Sequence, residues 1–222
     1  MDILKNIETN DKDEKECLGF LTMDKTKWET KEKNDEYSLT YCSIPMNNPL
    51  TNAPEEIMAF CLEVTLNKPI DTVIKYLNDF NIRKSYDTQY NEGKIISEKK
   101  EENLETYEIY LLLKMGFVFS NRDFVVKKKI WKDYRGNKNH YLIYTASIDH
   151  PDYPEKSNPV RGVYLNRAAY LYPGKNDQET TMLLCNCMDM KMINIATFMT
   201  INKGCEGITK WFGKLKDALN KN

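Results

Sequence analysis

The sequence is poor in histidine, has no cysteine pair of the CxxC kind and contains no long apolar run. His140 and His150 are the only histidines among its 222 residues. Because structural zinc usually takes several Cys and His ligands together, we expect no metal site. No stretch approaches the roughly 18 apolar residues of a membrane-spanning helix. Charged residues within the first ten positions interrupt any signal-peptide core, so we expect a cytoplasmic protein.

The six cysteines are spread along the chain, and only Cys185 and Cys187 lie close together. A chain of this length buries enough apolar surface without disulfide bonds, so we expect the cysteines to be reduced and mostly buried. If residues 180–189 form a strand, the two neighbouring thiols lie on the same face.

Neither sign of charge dominates. Lys and Arg total 32 and Asp and Glu total 33, which gives a net charge of -1. Nucleic-acid-binding domains are usually basic, so we expect no nucleic-acid partner. The short basic runs Lys99-Lys100 and Lys127-Lys128-Lys129 would suit an anionic membrane surface, but a solvated strand face is the simpler interpretation.

Sequence motifs of common enzymes are also missing. The chain has no glycine-rich phosphate loop and no GxSxG nucleophile motif. His150 is the better candidate base of the two histidines, although a loop histidine is usually just solvated. We therefore expect neither catalytic residues nor a cofactor, and we keep a hydrolase as the less favoured alternative.

The pattern of apolar and turn-forming residues predicts helices at both ends of the chain and strands between them. Residues 1–24 are predicted to be helical or partly flexible, and a hairpin turns at Asn34-Asp35. Residues 45–54 are predicted to form a loop because they hold three prolines. Pro69 is predicted to open a helix, at a position where its missing N–H costs little.

The second half of the chain is a run of predicted strands followed by a long helix. The strands are predicted at 57–66, 94–99, 105–114, 123–132, 141–148, 160–172 and 180–189, and their short connections indicate an antiparallel sheet. An apolar stripe at helical spacing predicts the final helix; its members are Ile201, Cys205, Ile208, Phe212, Leu215 and Leu219. The order predicts an α+β fold in which a curved antiparallel sheet wraps around the C-terminal helix and leaves an internal hydrophobic cavity.

Three segments carry a resemblance to a known family. They are Arg83-Lys84-Ser85-Tyr86-Asp87, Ser120-Asn121-Arg122-Asp123-Phe124 and Val160-Arg161-Gly162. In this order and spacing, over roughly residues 25 to 220, the chain resembles the START (StAR-related lipid-transfer) domain family. The resemblance implies a helix-grip, Bet v 1-like fold, and a single domain over residues 1–222.

Within that family the chain is most similar to the phosphatidylcholine-transfer branch, because Arg83 and Asp87 match the arginine and aspartate of that branch's headgroup site. A guanidinium suits a phosphodiester because its fork of donors matches the phosphate oxygens. The branch holds choline with aromatic side chains, which implies headgroup roles for Phe124 and Tyr164, while Leu111 stands where an aromatic residue is usual.

The resemblance also implies a cavity lid. Residues 115–119 match the lid loop by position, so Met115, Phe117 and Phe119 are predicted to line the cavity or its gate. Met199 and Phe212 of the final helix are predicted to join them. The alternative, that Phe117 and Phe119 simply fill the core, stays open.

The implied function is that a monomeric protein binds one phospholipid, similar to phosphatidylcholine, and transfers it between membranes by transient contact. The function alternatives are a sterol or ceramide binder, or a lipid-sensing module on the same fold.

Overall fold

The computed structural model describes residues 4, 7–48, 50–115, 119–191 and 197–221, without the side chains of residues 55 and 197–200. The elements in chain order are α1 (Lys12–Leu21), β1 (Glu29–Lys33), β2 (Tyr37–Asn47), β3 (Pro54–Leu66), α2 (Ile70–Asn78), α3 (Phe80–Tyr86), β4 (Tyr90–Lys100), β5 (Leu104–Leu113), β6 (Arg122–Trp131), β7 (Tyr141–Ser147), β8 (Val160–Arg161), β9 (Val163–Pro173), β10 (Thr180–Asp189) and α4 (Thr197–Asn220). No helix among these described residues is long and apolar enough to cross a membrane.

The strands form one sheet in the order β1-β2-β3-β10-β9-β7-β6-β5-β4. All neighbours on this path are antiparallel, and the two-residue strand β8 pairs in parallel with β6. Helix α4 packs on one face, which we call the concave face, and α1 packs on the other, the convex face. The predicted α+β fold with a C-terminal helix gripped by an antiparallel sheet is confirmed.

Two stretches differ in detail from the sequence prediction. Residues 45–47 continue β2, although a loop was expected from Pro45 onward. The pairing of β1 with β2 reaches only as far as Tyr41, so Pro45 has a neighbouring strand, β3, on one side only. On the other side, its missing N–H breaks no ladder of hydrogen bonds. The predicted strand 160–172 is divided at Gly162 into β8 and β9.

Each face of the sheet has its own apolar core. Under α1 the core contains Leu18 and Leu21 together with Cys61 and Cys185 of the paired strands β3 and β10. Against α4 it contains Phe212, Leu215 and Leu219, together with residues of β3 and α2. Strand alternation sends neighbouring residues to opposite cores, which is why the sheet can be apolar on both sides.

The six cysteines are free and buried, as expected. Cys185 and Cys187 both belong to the core under α1, which confirms that alternation places them on one face.

The basic run at residues 127–129 is not the solvated face that its sequence suggested. Lys127 Nζ lies 2.7 Å from Asp13 Oδ2, and Lys129 Nζ lies 2.8 Å from Asp11 Oδ2 and 2.9 Å from Asp13 Oδ2. These pairs attach the N-terminal turn of α1 to β6. The side chain of Lys128 points the other way, into the interior on the concave side.

Candidate functional site

A large cavity separates the concave face from α4. Its volume is about 950 Å³, and we call it the main cavity. The walls are mostly apolar: Met58, Phe60, Leu62 and Leu184 come from β3 and β10, and Ile208 and Trp211 come from α4. Ligand pockets in proteins usually range from about 300 to 1,000 Å³, so this cavity is large enough for a sizeable apolar molecule.

Two glycines of α4 shape the main cavity. A Cβ atom added at Gly204 would come within 2.3 Å of the Phe60 ring, so the absence of a side chain allows α4 to approach β3 closely. A Cβ atom added at Gly207 would meet nothing within 4 Å. One turn of the helix therefore touches the sheet, and the next leaves open space beside it.

A smaller space continues inward from the main cavity. This inner cavity has a volume of about 60 Å³ and shares Arg83, Tyr164, Arg167 and Leu184 with the main cavity. Apolar residues such as Leu111 and Val126 form much of its wall, and Lys128 also faces it. Its size admits a few water molecules or one small polar group.

The predicted pair Arg83 and Asp87 lies at this junction. Asp79 caps α3, since its Oδ1 accepts hydrogen bonds from the N–H groups of Asn81 and Ile82. Helical spacing then brings Arg83 Nε to 3.1 Å from Asp87 Oδ2, with only 15% and 8% of the two side chains exposed. This interior position excludes the ordinary exposed i,i+4 pair that spacing alone would allow.

The surroundings of Arg83 keep its guanidinium charged. Burial alone lowers the pKa of Arg83, but the neighbouring Tyr164 and Asp87 raise this pKa by more, so it stands above its ordinary value. The guanidinium also lies over the Tyr90 ring, 4.7 Å from its centroid. A charged, oriented group of donors therefore faces both cavities.

The three positions predicted for headgroup aromatics have different surroundings. Tyr164 lines both cavities, and Leu111 lines the inner one. Phe124 is on the same face of the sheet but is fully buried, 4.8 Å from the Tyr164 ring centroid, and it is not among the lining residues. A Cβ atom on Gly162 would lie 2.4 Å from the Phe124 ring, so this glycine makes room for it.

The predicted gate residues are only partly brought together. Met115 and Phe119 line the main cavity, and Phe119 is 45% exposed. Phe212 lies outside the cavity lining and packs in the core, with its ring centroid 5.4 Å from that of Tyr37. Phe117 and the side chain of Met199 lie outside the described residues.

The family model of the START domain matches residues 11–182. The chain belongs to the START domain family. Its fold resembles that of human STARD10, with a TM-score of 0.75 and 16% identity, covering 99% of this chain and 84% of that one. Human StAR-related lipid transfer protein 5 has a TM-score of 0.71 and 15% identity, covering 90% of this chain and 89% of that one. No curated protein matches this sequence significantly.

START domains bind and transfer lipids and are generally not enzymes, so this chain is a lipid-binding protein. The motif residues that carry the resemblance divide into two groups. Arg83 and Asp87 face the cavity, whereas Asp123 and Arg161 form a buried two-pronged ion pair with distances of 3.0 and 3.1 Å. Arg161 also donates to the Tyr153 carbonyl, so this ion pair between the second and third segments holds the loop around Tyr153 against β6.

The polar cavity residues that sequence reasoning missed include three from the interior strands: Lys128, Arg167 and Asn186. Strand alternation from Phe124 and Val126 would have placed Lys128 inside. Arg167 gives no such signal, because the pairing of β9 with β10 shifts register between Asn166 and Tyr164. Tyr164 and Arg167 therefore share a face despite their odd spacing.

Asn186 is the third of these residues. Among the described residues, its Oδ1 is buried without a hydrogen-bond partner while the side chain lines the main cavity. Buried amides are usually hydrogen-bonded, so this group is placed to meet a polar part of a ligand or a water molecule.

Proposed function

We propose that this START domain binds one phospholipid in the main cavity, with the lipid phosphate at Arg83, and carries it between membranes. The observation behind the proposal is the Arg83–Asp87 pair inside a cavity whose walls are mostly apolar. A phosphodiester must lose its water to enter such a space, and a buried guanidinium replaces that water with charge-assisted hydrogen bonds.

Asp87 has a role when the cavity is empty. A lone buried cation is costly, and a carboxylate at hydrogen-bond distance offsets that cost. When a phosphate arrives, Arg83 has further N–H donors available beyond the Nε that faces Asp87. The pair therefore supports reversible binding, which a carrier needs.

Phosphatidylcholine remains the headgroup that the family resemblance predicts. Tyr164 supports it, because this ring lies at the junction of the two cavities beside Arg83. A sterol or ceramide has no phosphodiester, so Arg83 would have no anion to bind in that alternative.

The phosphate role is tested with the double variant Arg83→Met/Asp87→Asn, which removes both charges of this pair, so that neither is left without the other. We expect phospholipid retention to fall about 10- to 100-fold, since hydrogen bonds to a charged group contribute about 1.5–3 kcal/mol. Native mass spectrometry after incubation with phospholipid vesicles measures the bound fraction.

Lys84→Met is the matched control, because Lys84 lies on the same helix but is exposed. Equal phospholipid retention in the double variant and the control would contradict the phosphate assignment. Capture of a sterol instead of a phospholipid from mixed vesicles would favour the sterol alternative.

We further propose that lipid enters and leaves beside Met115 and Phe119. Phe119 combines a cavity-lining position with an exposed apolar ring, which suits transient insertion into a membrane surface.

We expect Phe119→Ser to slow lipid transfer between vesicles several-fold while the amount of lipid bound at equilibrium stays unchanged. Ile95→Ser is the control, since Ile95 is 44% exposed but does not line the cavity. An unchanged transfer rate for Phe119→Ser would contradict this exit.

A further inference from the structure

The inner cavity holds more positive charge than one zwitterionic headgroup can neutralise. Arg83, Lys128 and Arg167 all face it, and all of its lining residues are neutral or cationic. Asp87, which lines the main cavity, is already engaged by Arg83. Among the described residues, the other two cations, Lys128 and Arg167, form no ion pair with a carboxylate.

Of these three cations, Lys128 lines the inner cavity but not the main one. It lies on β6, and its Nζ donates a hydrogen bond to Asn78 Oδ1 at the end of α2. Among the described residues no carboxylate lies within ion-pair distance of Nζ. Burial, together with the nearby Arg167 and Arg83, lowers the pKa of Lys128 to about 7. An anion in the inner cavity would restore the charge of this lysine.

Arg167 lies on β9 and lines both cavities. Its guanidinium carbon is 5.9 Å from the centroid of the Trp211 ring on α4. Across the described part of the chain, no carboxylate forms an ion pair with it. Such a contact with an aromatic face leaves the N–H edge of the guanidinium available to an oxygen acceptor.

The other acidic residues that line the main cavity do not compensate these charges. Glu206 pairs with Lys210 at 2.5 Å, and Asp189 pairs with Lys191 at 2.5 Å. Glu56 is exposed and accepts a hydrogen bond from Ser43 at 2.7 Å. Each of these three carboxylates is engaged by Lys210, Lys191 or Ser43, and none of them is paired with Arg167 or Lys128.

A phosphatidylcholine headgroup carries one negative and one positive charge, so it would leave the excess unchanged and add a cation to a site already rich in cations. An acidic headgroup would neutralise the excess and give Lys128 and Arg167 an anionic hydrogen-bond acceptor, which the described residues do not supply. Like charges brought together in a poorly solvated space repel strongly, which disfavours the zwitterion.

We propose that the ligand is an acidic phospholipid whose negatively charged headgroup lies among Arg83, Arg167 and Lys128. This inference rests on the proposed function, because it specifies the headgroup of the same bound lipid. The chemistry is shared by a phosphomonoester, as in phosphatidic acid, and by a phosphodiester with an added carboxylate, as in phosphatidylserine.

The test offers the protein vesicles that contain equal amounts of phosphatidylcholine, phosphatidylethanolamine, phosphatidylserine and phosphatidic acid. Native mass spectrometry then gives the headgroup distribution of the captured lipid. We expect the wild-type protein to enrich the two acidic lipids about tenfold over phosphatidylcholine, because one charged hydrogen bond contributes about 1.5–3 kcal/mol. Lys128→Met should remove most of this enrichment, and Lys128→Arg should retain it.

Lys127→Met is the matched control: it removes the neighbouring charge of the same strand, but on the convex face. Thermal unfolding of each variant establishes that it is folded. Preferential capture of phosphatidic acid or of phosphatidylserine supports the inference and identifies which acid is bound.

Two outcomes would overturn the inference and leave the proposed function standing: capture of phosphatidylcholine as readily as acidic lipids, or acidic enrichment that Lys128→Met does not reduce. Capture of no phospholipid from any vesicle would overturn the proposed function itself.

Discussion

The two faces of β6 use identical side chains in different ways. Lys127 and Lys129 point to the convex face, where Asp11 and Asp13 of the α1 region lie between 2.7 and 2.9 Å from their amino groups. Lys128, between them, points to the concave face, where it meets an asparagine side chain and two arginines nearby. Three consecutive lysines are thus divided between two environments by strand alternation.

The charge of a side chain therefore indicates function only together with the groups around it. On the convex face each ammonium has a carboxylate, and the arrangement is complete without a ligand. Lys129 accordingly has a raised pKa, because hydrogen bonds from its amino group to Asp11 and Asp13 outweigh burial, which alone lowers it. On the concave face the pKa of Lys128 is lowered by burial and by the nearby Arg167 and Arg83, and no carboxylate of the described residues lies within ion-pair distance of its amino group.

We expect the largest effect on stability from removing the ion pairs on the convex face of β6. Lys127→Met/Lys129→Met leaves Asp13 without either of its cations, and 10% of that side chain is exposed. We expect the free energy of unfolding to fall by about 3–5 kcal/mol, since an uncompensated buried charge is strongly destabilising. Urea denaturation at neutral pH measures the change.

Lys127→Met alone serves as the control for this double variant. Lys129 still pairs with Asp13 in it, so the loss should stay near 1 kcal/mol or below, as for a partly exposed ion pair. A double variant as stable as the single one would mean that these ion pairs do not hold α1 to the sheet.

Much of the molecule follows from local sequence signals. The stripe that includes Phe212, Leu215 and Leu219 predicts α4, because apolar residues at helical spacing need a partner surface. The strands follow from β-branched and aromatic runs between turn residues. Arg83 and Asp87 were found through the family resemblance, since their spacing fits an exposed pair equally well.

The rest depends on contacts that a linear pattern does not contain. Pro45 stays in a strand because β1 is too short to reach it. Arg167 reaches the cavity through a register shift opposite β10. Lys128 could be placed by alternation, but its role depends on Asn78 of α2 and Arg167 of β9, which lie beside it in the fold and far away in the chain.

A smaller effect is expected from removing the charge of Lys128. In lipid-free protein at about pH 6, Lys128→Met should raise the free energy of unfolding by about 1–3 kcal/mol, because it removes a buried ammonium that has no carboxylate paired with it. The groups around this ammonium are Arg167 on β9, Arg83 on α3, Asn78 on α2 and Glu105 on β5. The two arginines disfavour its charge, whereas Glu105 and the accepting oxygen of Asn78 favour it.

The sign of the pH dependence separates this explanation from a simple packing effect. The folded pKa of Lys128 is about 7, and its ordinary value is 10.5. Above pH 7 the folded protein releases this proton while the unfolded chain keeps it, so the stability of the wild-type protein rises with pH through this group. The gain in stability of Lys128→Met over the wild-type protein should therefore be largest at about pH 6 and shrink toward about pH 9.

Urea denaturation across this pH range measures the gain in stability, with Lys127→Met as the control. A gain in stability that stays constant with pH would show that Lys128 is not a buried cation lacking a carboxylate. It would contradict the electrostatic difference between the two faces of β6.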